Sequence, residues 1–142
     1  MKKEVKIKTY STEVKIITHL VNHGYNVNQS EEKSYIYVVY TPYSKRFLVS
    51  FYDNYMLFSE VHDFSKVNIG GKKMLKLLNK LNNDSITMKF DLDYQNILTI
   101  STRQQKVYNK AGFQSLLDDI EVDIFHLFYN ELSECMPKRD YE

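Results

Sequence analysis

The hydrophobic positions of this 142-residue chain change their period several times, and each change marks a new predicted element. In residues 10–24 the apolar side chains of Tyr10, Val14, Ile17 and Val21 recur every three or four positions, with Leu20 alongside, which is typical of an amphipathic helix ending at Gly24. From residue 35 the β-branched and aromatic residues form two short runs instead. These runs, residues 35–40 and 47–51, flank Pro42 and therefore predict a hairpin that turns at the proline.

A further strand, a helix and a second hairpin are predicted next along the chain. Residues 55–61 indicate a third strand, and residues 25–28 indicate a short strand ahead of the set. Residues 72–81 form a predicted helix whose apolar stripe is Met74, Leu75, Leu78 and Leu81. Residues 86–92 alternate strictly between apolar and polar side chains, and a turn then leads into the strand at residues 97–101.

The last predicted helix begins near Asn109 and carries an apolar stripe for about six turns. The interpretation places Leu117, Ile120, Ile124 and Phe128 of this stripe in the core, and places the acidic residues of the helix on its outer side. Strands grouped between helices, without strict βαβ alternation, favour an antiparallel sheet. The predicted fold class is α+β, mainly antiparallel sheet with three helices in the order α-β-β-β-α-β-β-α.

One domain is expected to span residues 1–142, because this length is typical of a single hydrophobic core. Its ordered part is predicted at about residues 10–133. Residues 1–9 form a basic N-terminal tail in this prediction, and residues 134–142 form a mobile C-terminal tail.

The order of elements and three local features resemble the bacterial YbjN family and the related type III secretion chaperone-like fold. The first helix ends in LVNHGY at residues 20–25, the middle helix ends in LNKLN at residues 78–82, and an alternating hairpin follows. The resemblance covers about residues 10–133. It implies a non-enzymatic domain, often dimeric, that holds a segment of another protein or modulates a regulatory pathway. The lysines of the middle helix depart from the family pattern.

Composition limits the chemistry and the compartment. Cys135 is the only cysteine, so neither an intramolecular disulfide nor a site with several thiolates can form, which favours a reducing compartment. No secretory signal and no membrane helix are expected, and we predict a cytoplasmic protein. Charge is segregated: residues 1–90 hold 14 Lys and Arg against 8 Asp and Glu, whereas residues 91–142 hold 5 against 10.

Two groups of residues carry candidate catalytic or metal chemistry. Glu60, His62 and Asp63 place two carboxylates beside an imidazole, which suits acid–base catalysis, and alternation along a strand puts Glu60 and His62 on the same side. The spacing of His19 and His23 on a helix suits a divalent ion. Neither group has the further ligands or the nucleophile that such a site requires, so we expect no enzyme activity, no metal and no cofactor.

Two surfaces are candidates for binding. Alternation in the strand 35–40 predicts that Tyr35 and Tyr37 point away from the core and form an aromatic contact surface with Tyr52. Lys72, Lys76 and Lys80 lie four residues apart on one face of the middle helix, where a solvated surface is the simpler interpretation. The near-neutral net charge of +1 and the absence of a recognition motif argue against nucleic-acid binding.

The leading functional hypothesis is a binding module for a protein partner, which includes a homodimer as one form of the contact. The alternative is an immunity protein or a phage-encoded inhibitor of a host defence nuclease. The segregated charge of the chain would suit that role. The third hypothesis is an enzyme that uses Glu60, His62 and Asp63. Binding to a membrane is not expected.

Overall fold

The computed structural model describes residues 11–43, 45–66 and 70–135. The elements in chain order are α1 (Thr12–Asn22), β1 (Asn26–Gln29), β2 (Ile36–Tyr40), β3 (Arg46–Phe51), β4 (Tyr55–Asp63), α2 (Gly71–Asp84), β5 (Lys89–Leu92), β6 (Ile97–Gln105), α3 (Lys110–Glu121), a π-helical segment (Val122–Phe128) and α4 (Tyr129–Cys135). The last three are successive parts of a third helix. The predicted α+β class and element order are confirmed, and the short strand predicted at residues 25–28 is β1. The predicted tail at residues 1–9, and residues 136–142 of the other tail, lie outside the described residues.

The six described strands form one sheet in the order β1-β2-β3-β4-β6-β5, and every neighbouring pair is antiparallel. Consecutive strands are neighbours from β1 to β4. The chain then leaves the sheet through α2 and returns as β5 at the far edge, so that β6 lies between β5 and β4. The turn between β3 and β4 contains only Asp53 and Asn54, since the Tyr52 amide donates to the Tyr55 carbonyl at 2.9 Å.

The hydrophobic core lies between the three helices and one face of this sheet. Val49, Phe58 and Ile100 from the strands are fully buried, as are Leu81 of α2 and Ile124 of the third helix. The predicted burial of the last helix's apolar stripe is therefore confirmed. No helix within the described ranges combines the length and the apolar character that a membrane span requires.

The π-helical segment keeps the buried stripe of the third helix on one face. The buried residues Ile120, Ile124, Phe128 and Leu132 are each four positions apart. Because an α-helix turns about 100° per residue, each four-residue step rotates the side chain about 40° beyond a full turn. Three such steps would carry the stripe away from the sheet. The wider turns of the π-helical segment offset this drift.

The buried faces of α1 and α2 differ from their predicted stripes. In α1 the core residues include Ile16 and Leu20, whereas Val14 and Val21 of the predicted stripe are 45% and 53% exposed. In α2 the predicted stripe member Leu75 is exposed, and the core residues are Met74, Leu77 and Leu81. Both helices carry apolar residues on more than one side. Tertiary packing therefore decides which side meets the sheet.

Candidate functional site: a tyrosine cluster and an uncovered sheet face

The strands have a second face that no described helix covers. Ile36, Val38, Leu48 and Leu57 lie on this face, are partly exposed and do not belong to the hydrophobic core. Val38 is in register with Leu48, while Ser50 lies between Ile36 and Leu57 in register. These four aliphatic residues are called the uncovered sheet face below. They present an apolar patch across β2, β3 and β4, in which Ser50 lies between Ile36 and Leu57.

A cluster of aromatic residues lies beside the uncovered sheet face, where β2 begins and the β3–β4 hairpin turns. The ring centroids of Tyr35 and Tyr52 are 5.4 Å apart, and the Tyr52 ring stacks on the Tyr55 ring at 4.7 Å. The Arg103 guanidinium lies over the Tyr55 ring at 3.7 Å from its centroid. These four residues, called the tyrosine cluster below, line one wall of a shallow open groove of about 500 Å³.

The cation–π contact leaves the hydrogen-bonding edge of Arg103 available. Guanidinium N–H groups lie in the plane of the group, so stacking on a ring occupies the face and not the donors. Among the described residues Arg103 donates no hydrogen bond and forms no ion pair. The tyrosine cluster can therefore offer flat aromatic surface together with a planar cationic donor that fits a carboxylate.

The sequence predicted the meeting of Tyr35 with Tyr52 but assigned the wrong faces to β2. Tyr37 lies on the core side, because its partner in register is the fully buried Val49 and its ring meets Phe51 edge-on at 5.6 Å. Burial raises the pKa of the Tyr37 hydroxyl above its usual value, and the Glu13 carboxylate raises it further. Both faces of β2 carry apolar or aromatic residues, so alternation by itself could not choose between them.

The lysines of α2 lie at the surface, as their spacing predicts. Lys72, Lys76 and Lys80 are exposed, and Lys80 pairs with Asp84 at 2.9 Å and approaches Glu131 at 3.9 Å. Exposed pairs of this kind contribute little to stability. The three lysines remain a candidate binding surface, and no contact among the described residues points to a particular ligand for them.

The structure separates the three residues of the hypothetical catalytic group. Glu60 and His62 share the core side of β4, as predicted, and the His62 imidazole bonds to Glu60 Oε1. The same oxygen accepts a hydrogen bond from the Tyr129 hydroxyl at 2.8 Å. Asp63 lies on the other face of the strand, and its pKa is lowered by hydrogen bonds with Ser65. Glu60, which is 8% exposed, is thereby held in the interior away from Asp63.

His19 and His23 are neighbours, but both ring nitrogens of His19 and one of His23 are used within the fold. His19 is 3% exposed, and its two ring nitrogens bond to the Tyr108 hydroxyl at 2.9 Å and to Gln114 Oε1 at 2.8 Å. The His23 ring stacks on the His19 ring at 4.2 Å. Residues 11–43, 45–66 and 70–135 contain no group of three metal-ligating side chains placed to hold an ion.

Asp123 is the polar residue whose role the sequence pattern missed. It was expected on the acidic outer side of the third helix, but it is fully buried. Its carboxylate accepts hydrogen bonds from the backbone amides of Ile86, Thr87 and Met88 at 2.7 to 2.8 Å. This contact draws the start of the predicted strand 86–92 out of the sheet, so that β5 begins only at Lys89. The three donors lie 35 to 37 residues away in sequence, where no local pattern can reveal them.

Comparisons with known proteins bear on the fold. No protein-family model and no curated protein sequence matches the chain. Among solved structures it is similar to the crystal structure of YbjN, described as "a putative transcription regulator from E. coli", with a TM-score of 0.59 and 16% sequence identity. The match covers 88% of this chain and 95% of YbjN. This chain therefore has a YbjN-like α+β fold.

Proposed function

We propose that this domain binds a partner protein through the tyrosine cluster and the adjoining uncovered sheet face. The observation that carries the proposal is the tyrosine cluster, in which Tyr35, Tyr52, Tyr55 and Arg103 pack together at the surface. Tyrosine and arginine are enriched among residues that dominate binding energy, because they offer large contact areas with directional polar groups. Rings already held against one another also lose little freedom on contact.

Arg103 is the cation among the residues that line the groove, which also include the acidic Asp53, and its guanidinium favours an extended partner segment that carries a carboxylate. An apolar side chain of that segment would lie on Leu57 or Ile36, and a carboxylate would accept two hydrogen bonds from Arg103. The YbjN-like fold is compatible with such a role, since YbjN itself is described as a regulator rather than as an enzyme. We infer a non-enzymatic domain that acts by holding or blocking this partner.

The test compares capture by the intact protein with capture by a double variant in the tyrosine cluster. The full chain serves as bait in an extract of its native host, and captured proteins are identified by mass spectrometry. We expect Tyr35→Ser/Tyr52→Ser to weaken binding of the specific partner more than tenfold, or about 1.4 kcal/mol, in calorimetric titration. Arg103→Gln should have a similar effect for an acidic partner.

Tyr94→Ser is the matched control, since Tyr94 is 91% exposed and stands in the β5–β6 turn away from the cluster. This variant should bind like the wild type. Sedimentation of the purified protein tests whether the partner is a second copy of the chain. Capture that is equal for wild type and double variant, with no self-association, would contradict the proposal. A captured nuclease whose activity is lost on binding would specify the blocking form, as in an immunity protein or phage inhibitor.

A further inference from the structure

A second groove lies between α1 and the start of α3, and it shares no lining residue with the groove at the tyrosine cluster. Its volume is about 620 Å³, within the range of pockets that bind small molecules. Lys15 and His23 come from α1, Lys110 is the first residue of α3, and Tyr108 precedes that helix. Two helices and the segment that follows β6 thus bring three basic side chains to one cavity.

The lining of this groove contains no acidic side chain. Lys15 and Lys110 form no ion pair and no side-chain hydrogen bond within the described part of the chain. The neighbouring carboxylates are already bonded: Glu13 pairs with Lys106 at 3.2 Å, and Asp118 accepts from Gln114 at 3.0 Å. The two groove lysines therefore have no carboxylate partner among the described residues, so a solute anion in the groove would supply a counter-charge.

The stacked histidines orient a further donor toward an anion. Since Gln114 Oε1 can only accept, His19 Nε2 donates to it, and His19 Nδ1 is hydrogen-bonded to the Tyr108 hydroxyl. Both ring nitrogens of His19 are thus occupied within the fold. His23 Nδ1 donates to the His19 carbonyl at 2.8 Å, which leaves His23 Nε2 as the nitrogen that can donate to a ligand when the ring is protonated. The N-terminus of α3 adds its favourable dipole for negative charge.

We propose that this groove binds the phosphate group of a small molecule. A phosphate dianion matches two lysines and one imidazole better than a single carboxylate does, because it has two charges and several acceptor oxygens. The groove is larger than a phosphate ion, so the organic part of a phosphomonoester would lie against Val14 and the Tyr108 ring. This site is independent of the protein-binding surface proposed above.

The experiment titrates ¹⁵N-labelled full-length protein with three probes at constant ionic strength: inorganic phosphate, glycerol 3-phosphate and acetate. We expect saturable amide shifts confined to residues 12–24 and 108–113 for both phosphate probes, and much weaker binding of acetate. Tighter binding of the ester would identify a phosphomonoester as the ligand, whereas equal affinities would identify free phosphate.

Lysine variants give the decisive comparison. Lys15→Gln/Lys110→Gln should weaken phosphate binding about tenfold or more, because two charge-assisted contacts are lost. Lys89→Gln, which changes an exposed lysine on β5, is the matched control and should leave binding unchanged. Shifts that do not saturate, that spread over all lysine-rich surfaces, or that weaken equally in the control variant would overturn the proposal.

Discussion

Replacement of Asp123 tests how the third helix is joined to the start of β5. Three backbone amides donate to this fully buried carboxylate. Ile86 is 58% exposed, so its amide can recover a hydrogen bond from water after the carboxylate is removed. Thr87 is half-buried and Met88 is 2% exposed, so their amides stay largely unpaired. The cost of the change should therefore come mainly from these two donors.

The expected loss of stability follows from the number of backbone donors that are left unpaired. A buried donor left unsatisfied costs about 1–3 kcal/mol, while removing a buried carboxylate recovers part of its desolvation cost. We expect Asp123→Ala to lower the free energy of unfolding by about 3–5 kcal/mol. Asp123→Asn keeps one acceptor oxygen, which can serve the Thr87 and Met88 amides while its NH2 group turns toward the exposed Ile86, so its cost should be smaller, about 1–3 kcal/mol.

Urea denaturation measures both values. The chain has no Trp, so far-UV circular dichroism is the suitable signal, and the slope with urea should stay constant. Asp91→Asn is the matched control, because Asp91 is exposed on β5 and should change stability by less than about 0.5 kcal/mol. An Asp123→Ala protein as stable as this control would show that Asp123 does not hold residues 86–88 against the third helix.

Three further predictions concern the core, an edge strand and pH. Ile124→Asp should destabilise the fold by about 4 kcal/mol or more, because a charge enters a fully buried apolar site, and the soluble fraction after expression should fall. Asn82→Ala should lower the free energy of unfolding by about 1 kcal/mol in the same denaturation assay, because the Asn82 side chain bonds both the amide and the carbonyl of Phe90 on the edge strand β5. Asn79→Ala, on the exposed side of α2, is its control and should leave stability unchanged. Burial, followed by a hydrogen bond to an α3 carboxylate, raises the pKa of Tyr25 above its usual range. The unfolded chain then loses this proton above about pH 10 while the folded protein keeps it, so stability falls as pH rises through that value, and Tyr25→Phe should reduce the slope of melting temperature against pH.

The sequence alone was sufficient to predict the helices and strands and most of their order. The strict alternation in residues 86–92, the apolar run at residues 97–101 and the long apolar stripe after Asn109 are local patterns, and a local pattern reports which backbone geometry can bury its apolar residues on one side. Grouped strands also pointed correctly to an antiparallel sheet. The Glu60 and His62 side chains share a strand face for the same local reason.

Tertiary structure decided which face of each element turns inward and which distant polar groups meet. Tyr37 and Ile36 both lie on apolar faces of β2, so the choice between them was made by the helices that cover only one side of the sheet. The stacking of Arg103 on Tyr55 and the bonding of Asp123 to a loop more than 30 residues away depend on strand order and on the π-helical segment. Such contacts leave no periodic trace in the chain, because the partners become neighbours only when the whole sheet is assembled.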